Sequence, residues 1–128
     1  MLNDKFIFVF WCNLAGRHGK GSAKFARQHL GAKYGVGEGR TGQCYALPTK
    51  NHQIKTRDLG EIEKSVEVFI AYAKTSEEET FLVTPIGCGL AGYEQRQIRA
   101  IFMRQEIPDN VVFSKEWFQK YKETETYK

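Results

Sequence analysis

Apolar residues occur along the chain in two kinds of pattern, short runs of β-forming residues and longer stretches with helical spacing. The run Lys5–Trp11 is rich in Phe, Ile and Val and gives way to the polar Asn13, which predicts a buried strand. A second predicted strand, Gln43–Leu47, is bounded by Gly42 and Pro48, two residues that commonly end strands. Two further strands are predicted at Thr80–Thr84 and Asn110–Phe113.

Stretches with helical spacing separate these runs. Asp58 is a candidate N-cap for a helix whose apolar residues follow the i, i+3, i+4 rule: Leu59, Ile62, Val66, Phe69, Ile70 and Ala73. Shorter helices are predicted at Gly21–Leu30, capped by Gly31, and at about Glu94–Gln105, with Ile98, Ile101 and Phe102 facing inward. A final helical turn is predicted at Ser114–Tyr121. Strands that alternate with helices predict an α/β fold, a three-layer α/β/α sandwich around a mostly parallel sheet.

The length and the cysteine content narrow the class of protein. A chain of 128 residues fits one domain, with residues 122–128 expected to fray. The three cysteines, Cys12, Cys44 and Cys88, are an odd number without a C-x-x-C pair. This argues against a disulfide framework and a zinc site, and favours a reducing, cytoplasmic compartment. No stretch approaches the length of a membrane span, and no cofactor or metal is expected.

The charge distribution permits an acidic ligand. The net charge is +4 and the pI is about 9.0, so phosphate or nucleotide partners are allowed. Lysines and acids alternate across Glu61–Lys74 and Lys115–Lys128, and we find no long basic stripe. This interleaving argues against nucleic-acid binding, which would give a steep dependence on salt.

The glycines are strongly clustered. Eight of the twelve lie between Gly16 and Gly42, and three more are Gly87, Gly89 and Gly92. The dense segments Asn13–Gly21 and Ile86–Tyr93 each follow a predicted strand and precede a predicted helix. Glycine lets backbone amides approach a phosphate, and the N-terminus of a helix adds partial positive charge. The pattern predicts two loops that hold one diphosphate, the alternative being tight turns between strand and helix. Neither segment matches the Walker A or G-x-G-x-x-G motif.

Three segments resemble the macro domains. Phe8–Asn13 (FVFWCN) with Gly16–Ala23 (GRHGKGSA) is similar to the first ligand loop of that family, and Tyr45–Lys50 (YALPTK) to the strand that follows. Ile86–Tyr93 (IGCGLAGY) resembles the phosphate-holding loop, and is most similar to the branch that removes ADP-ribose from glutamate. The resemblance covers about Phe6–Phe113 and is to small macro domains of bacterial or phage type.

The resemblance implies a cleft for ADP-ribose. The backbone of Gly87–Gly92 would hold the diphosphate, and Asn13 with Gly19–Ala23 would line the distal ribose. Adenine is expected to stack on Phe113 or Trp117. The implied ligand-binding residues are Asn13, Arg17, Gly19, Gly21, Ser22, Ala23, Thr49, Ile86, Gly87, Cys88, Gly89, Leu90, Ala91, Gly92, Tyr93 and Phe113.

Two functions remain open from the sequence. Lys50 and Asn13 match the catalytic positions of the hydrolase branch, in which the lysine attacks the anomeric carbon. The aspartate which that branch carries in its second loop is replaced by Ala91. The substitution favours a domain that binds ADP-ribose, either free or as a protein modification. The alternative is an enzyme that removes ADP-ribose from modified proteins, or an ADP-ribose phosphate phosphatase.

Overall fold

A computed structural model of the protein describes residues 6–17, 21–84 and 95–113. In chain order the helices and strands of this part are β1 (Phe6–Asn13), α1 (Gly21–His29), β2 (Gly39–Thr41), β3 (Cys44–Lys50), α2 (Leu59–Lys74), β4 (Thr80–Val83), α3 (Gln95–Met103) and β5 (Val111–Phe113). The predicted turn at Ser114–Tyr121 lies outside the described residues. No described helix is long and apolar enough to cross a membrane.

The strands form one sheet in the order β2-β3-β1-β4-β5, in which only β2 pairs in antiparallel fashion among the described strands. Strand β1 lies at the centre and is apolar on both sides. Its residues Ile7, Val9 and Trp11 join the core cluster formed with α2 and α3, whereas Phe10 and Cys12 join a second cluster formed with α1. Helices therefore cover both faces of the sheet, which confirms the predicted three-layer α/β/α architecture with a mostly parallel sheet.

The caps of the helices follow from the sequence. The Asp58 carboxylate accepts a hydrogen bond from the Glu61 backbone N–H at 3.2 Å and begins α2, as predicted. After α1, Gly31 has a φ of +83°, and the Ala32 N–H donates to the Ala26 carbonyl at 3.2 Å. This reversal ends the helix where a C-capping glycine was expected.

The predicted end of the third strand was wrong, and one further strand was not predicted. Strand β3 does not stop before Pro48 but continues through it to Lys50. Strand β2, which the sequence did not predict, pairs with β3 only as far as Ala46, so the missing N–H of Pro48 leaves no acceptor in β2 without a partner. The longer strand carries Lys50 to the carboxyl end of the sheet.

Candidate functional site

The carboxyl ends of the central strands bring the two predicted catalytic residues together. Asn13 and Lys50 are paired across β1 and β3, and the Leu14 N–H donates to the Lys50 carbonyl at 2.8 Å. The register shifts at this point, since Cys12 pairs with Pro48 and Asn13 with Lys50. Thr49 is therefore an extra residue in β3. Such bulges turn neighbouring side chains out of the regular alternation and are common beside functional sites.

The end of β4 is also joined to β1. The Trp11 indole N–H donates to the Thr84 carbonyl at 2.8 Å, and the Thr84 hydroxyl donates to the Val9 carbonyl at 2.9 Å. Thr84 is the last described residue before the second glycine-rich segment. These buried bonds hold the end of β4 next to β1, the strand from which the first segment leaves.

The connections after these two strands run to opposite faces and opposite sides of the sheet. From β1 the chain passes through α1 on one face towards β3, and from β4 it passes through α3 on the other face towards β5. The crevice between β1 and β4 is therefore the topological switch point of the sheet. Open α/β sheets bind ligands at this point, outside the carboxyl ends of the strands.

The side chain of Asn13 shapes the first loop. Its Nδ2 donates to the Arg17 carbonyl at 3.0 Å, and its Oδ1 accepts from the Arg17 backbone N–H at 3.0 Å. These bonds close the loop and leave Arg17 exposed at its end. Asn13 therefore organises the loop backbone as well as lying beside Lys50.

Packing accounts for several glycines of the first cluster. Gly16 has a φ of +72°, and its carbonyl accepts from the Gly35 N–H at 2.9 Å, so a Cβ there would overlap the backbone of Gly35 and Val36. A Cβ on Gly37 would overlap the Asn13 carbonyl and the Leu14 backbone. The segment around Gly35 and Gly37 thus lies directly against the first loop and holds its shape.

The Cys12 thiol takes part in the same contact. Its Sγ donates to the Gly37 carbonyl at 3.0 Å beneath the loop. Burial, with a smaller effect of the Glu38 carboxylate, raises the pKa of Cys12 to about 12. A thiol in this state is a packing group, because the reactive form of cysteine is the thiolate.

A compact loop follows Lys50. Lys50 and Thr56 form an antiparallel bridge, and the Asn51 Oδ1 accepts from the backbone N–H groups of Gln53 and Lys55 at 2.9 and 3.0 Å. Ile54, at the end of the loop, has a φ of +62°, which is costly for a β-branched residue. The half-buried Lys50 is thus held on one side by β1 and on the other by its own loop.

Sequence reasoning missed Arg57. Its guanidinium donates to the Pro48 carbonyl at 2.8 Å and to the Ser65 hydroxyl at 2.9 Å, and only 11% of its side chain is exposed. It also lowers the pKa of Cys12, against the larger effect of burial. This largely buried cation lies under the carboxyl end of β3, with its Nε 4.0 Å from the exposed Glu61 carboxylate. Its position depends on the fold of the loop after Lys50, and no sequence motif marks it.

The remaining predicted ligand residues divide into three groups. Gly21, Ser22 and Ala23 begin α1, and the Ala23 side chain is buried in the core beside that helix. Phe113 is half-buried with its ring centroid 5.3 Å from that of Phe102, so it packs against the core as well as lying at the end of β5. Gly19, Ile86, Gly87, Cys88, Gly89, Leu90, Ala91, Gly92, Tyr93 and Trp117 lie outside the described residues. Within the described ranges no cluster of metal-binding side chains is found.

Comparison with known proteins identifies the fold. The sequence matches no family model and no curated protein. The structure is similar to the macrodomain of Mycobacterium tuberculosis DarG, with a TM-score of 0.59 and 19% identity over 87% of this chain and 89% of that one. It is also similar to Thermosipho africanus DarTG in complex with ADP-ribose, with a TM-score of 0.54 and 17% identity over 88% of this chain and 38% of that one. The chain therefore has the macro domain fold, as its sequence motifs predicted.

Proposed function

We propose that this protein binds ADP-ribose, with the diphosphate and the distal ribose held between Asn13–Gly21 and Ile86–Tyr93. The observation that carries the proposal is the position of β1 and β4, adjacent parallel strands on either side of the switch point, since these two segments follow them in the sequence. Backbone amides from both segments can then reach one diphosphate. Helix α1 begins directly after the first segment and α3 directly after the second, so the partial positive charges of both helix ends favour an anion there.

The side chains near this edge support an anionic ligand. Lys50 and Arg17 supply cations beside the first loop, and the largely buried Arg57 lies beneath β3. The similar DarTG structure contains ADP-ribose. An ADP-ribose molecule would therefore meet cations at the first loop and backbone amides at both loops. We expect AMP to bind more weakly, since it would fill only one end of such a cleft.

A calorimetric titration tests the proposal. We expect ADP-ribose to bind with micromolar affinity, about −8 kcal/mol, and AMP and NAD to bind more weakly. Gly89→Glu should abolish binding while the circular dichroism spectrum is kept, because it adds bulk and negative charge to the second segment. The control is Val68→Glu, which adds the same charge at an exposed position on α2. No heat with millimolar ADP-ribose, or normal binding by Gly89→Glu, would refute the proposal.

Hydrolysis of ADP-ribosyl groups is the second candidate, and the adjacency of Lys50 to Asn13 favours it. A lysine next to the distal ribose is within reach of the anomeric carbon, the atom attacked when the ADP-ribosyl bond is broken. Ala91 supplies no carboxylate for proton transfer, and loss of such a group commonly costs about 10²–10⁴-fold in rate. We therefore propose binding as the main activity, with weak or absent turnover. Phosphatase activity on ADP-ribose phosphate would be detected by phosphate release in the same preparations.

A further inference from the structure

Charge is unevenly distributed along the chain. Between Asp4 and Glu38 the sequence contains six lysines and arginines and no acidic residue. The whole chain has 19 Lys and Arg against 15 Asp and Glu, so the rest of it has 13 against 15 and is slightly acidic. The net charge of +4 therefore comes from this one segment, which includes the first loop, α1 and the connection to β2.

Helix α1 carries part of this charge on its exposed side. Lys24 and Arg27 are exposed and lie three residues apart, so they are neighbours on the same side of the helix. The Arg27 guanidinium lies over the Tyr34 ring, 5.9 Å from its centroid, and Tyr34 is 61% exposed. A cation–π contact of this kind holds an arginine in place without neutralising its charge. Lys33, which is also exposed, immediately precedes Tyr34.

The connection after α1 joins this surface to the first loop. The Gly35 N–H donates to the Gly16 carbonyl at 2.9 Å. Tyr34 and the exposed Arg17 are the neighbours of these two glycines in the sequence, so they are carried by adjacent stretches of backbone. We call this surface the basic face, and it consists of Arg17, Lys24, Arg27, Lys33 and Tyr34.

We propose that the basic face binds a short acidic segment of a protein that carries ADP-ribose, next to the ADP-ribosyl group itself. The inference rests on the proposed function and deepens it by naming the class of macromolecule to which the ligand is attached. Arginine and lysine form charge-assisted hydrogen bonds with carboxylates, and Arg and Tyr are enriched among the residues that dominate protein interfaces. Within the described part of the chain Arg17, Lys24 and Lys33 form no ion pair, so they can pair with carboxylates of a partner.

The dimensions of the basic face favour a short segment. The nine residues of α1 extend about 13 Å, at about 1.5 Å per residue. An extended peptide covers this length with about four residues, at about 3.3 Å each. Glu38 is exposed directly before β2, and the rest of the chain is slightly acidic. Carboxylates that extend beyond the face would therefore be repelled.

The same features disfavour a nucleic-acid strand as the partner. Proteins that bind nucleic acid with a steep salt dependence contact about 6–10 phosphates, whereas the basic face has four cations, Arg17, Lys24, Arg27 and Lys33. Binding of a single strand also uses several aromatic rings, on which successive bases stack. Tyr34 is the aromatic residue of the basic face, and the Arg27 guanidinium already lies over its ring. The face therefore matches a few carboxylates better than a chain of phosphates.

The basic face is expected to bind weakly by itself. Each exposed ion pair contributes little to affinity, and salt screens it. An ADP-ribosyl group held at the first loop raises the effective concentration of the segment to which it is attached. The contribution of the basic face is therefore measured best with a modified peptide.

Fluorescence anisotropy with two labelled peptides tests the proposal. Both peptides carry ADP-ribose on one side chain, which is surrounded by glutamates in the first and by glutamines in the second. We expect the glutamate peptide to bind about fivefold more tightly at low salt, as one or two exposed ion pairs would give, and the difference to vanish at about 0.5 M salt.

Charge reversal on the basic face should remove this preference. Lys24→Glu combined with Lys33→Glu is expected to abolish the difference between the two peptides. The matched control is Lys64→Glu with Lys74→Glu, which changes the net charge equally at exposed positions on α2. The two double variants should have the same Kd for free ADP-ribose, which also shows that both are folded.

The outcomes separate this inference from the proposed function. No heat with free ADP-ribose in calorimetry would refute the proposed function, whereas normal ADP-ribose binding without a preference between the peptides would overturn this inference alone. A preference that persists in the Lys24→Glu, Lys33→Glu variant would also overturn it. So would an unmodified single-stranded oligonucleotide that binds more tightly than an unmodified glutamate peptide of equal charge, because nucleic acid would then be the better partner.

Discussion

Asn13 and Lys50 lie opposite each other at the ends of two parallel strands, and the backbone between them is tied by the bond from Leu14 N–H to the Lys50 carbonyl. The bulge at Thr49 makes this pairing possible, because regular register would place Thr49 opposite Asn13. A ligand that touches the first loop therefore lies close to Lys50. The shape of the first loop, which depends on Asn13, is therefore linked to the position of Lys50.

Replacing Asn13 by alanine should lower the stability of the protein and, as a separate effect, weaken the binding of ADP-ribose. Asn13→Ala removes two exposed hydrogen bonds that close the loop, a loss of about 1–2 kcal/mol in the free energy of unfolding. The loop must then be ordered by the ligand, and we expect the Kd for ADP-ribose to rise about tenfold, or about 1.4 kcal/mol. Calorimetry and urea denaturation measure the two effects.

Asn110→Ala is the matched control for that change. The Asn110 Nδ2 lies within hydrogen-bond distance of three backbone carbonyls, those of Ala73, Ser76 and Glu79, at 2.9–3.1 Å. This contact lies before β5, at the opposite end of the sheet from the carboxyl edge. The control should lower stability and leave the Kd unchanged. Equal Kd values for the two variants would contradict the role given to Asn13.

The glycines that hold the first loop should tolerate no side chain. Gly37→Ala would force a Cβ into the Asn13 carbonyl and the Leu14 backbone, and we expect a loss of about 1–3 kcal/mol in stability. Gly60→Ala is the control, because Gly60 lies in the first turn of α2 with open space around it. Alanine there should stabilise by about 0.5–1 kcal/mol. Urea midpoints that are the same for both variants would show that the close contact is not formed.

Local patterns in the sequence were sufficient for most of the fold. Helix α2 could be predicted because its cap and its buried stripe repeat within one segment, and the runs at β1 and β4 are apolar enough to stand out. Strand β2 has only three residues, Gly39–Thr41, without an apolar pattern, and its pairing with β3 stabilises it. No local signal could identify it.

The candidate site was predicted less completely, for the same reason. The glycines around Gly16 could be read as ligand contacts, whereas Gly16 and Gly37 are needed for packing between segments that are distant in sequence. The bulge at Thr49 and the bond from the Arg57 guanidinium to the Pro48 carbonyl depend on how β3 and its loop fold back. Such contacts arise from tertiary structure, which periodicity and motifs do not contain.

Stability should fall at alkaline pH in part because of Cys12, beside Cys44 and Tyr45, whose pKa values burial raises to about 11 and about 12. The pKa of this thiol is raised from 9.0 to about 12 by burial, so the folded protein keeps a proton that the unfolded chain loses. The stabilisation is fully present below about pH 9 and is lost as the pH rises from there towards 12. For one proton, the free energy of unfolding falls by about 1.4 kcal/mol for each pH unit in this range.

The slope of stability against pH distinguishes the titration of the Cys12 thiol from the loss of its packing contacts. We expect urea denaturation between pH 8 and about 10.5 to show that the free energy of unfolding falls less steeply with pH in Cys12→Ala than in wild type. The difference in slope should correspond to at most about one proton. Val9→Ala removes a buried side chain from the same strand without a titrating group, so it should lower stability at every pH and keep the slope. If Cys12→Ala kept the wild-type slope, the thiol would not be buried in its neutral form.

The last prediction concerns Lys50 and separates a binding domain from an enzyme. Lys50 is half-buried and paired with Asn13 across β1 and β3, so an ADP-ribose held at the first loop, as proposed, would lie near Lys50. We expect Lys50→Ala to weaken ADP-ribose binding by up to about 1–2 kcal/mol, within the range for a hydrogen bond to a charged group. Lys55→Ala removes the same charge from an exposed position on the same loop and should leave the Kd unchanged.

The same variants decide the question of catalysis. Release of ADP-ribose from a glutamate-modified protein should be slow or absent for the wild type, since Ala91 supplies no carboxylate to move a proton. Ala91→Asp should raise turnover if the missing acid is the only defect, and it should do so only while Lys50 is present. Brisk release by the wild type that is abolished in both Lys50→Ala and Asn13→Ala, but kept in Lys55→Ala, would show that the protein is a hydrolase and that the adjacency of Lys50 and Asn13 serves chemistry as well as binding.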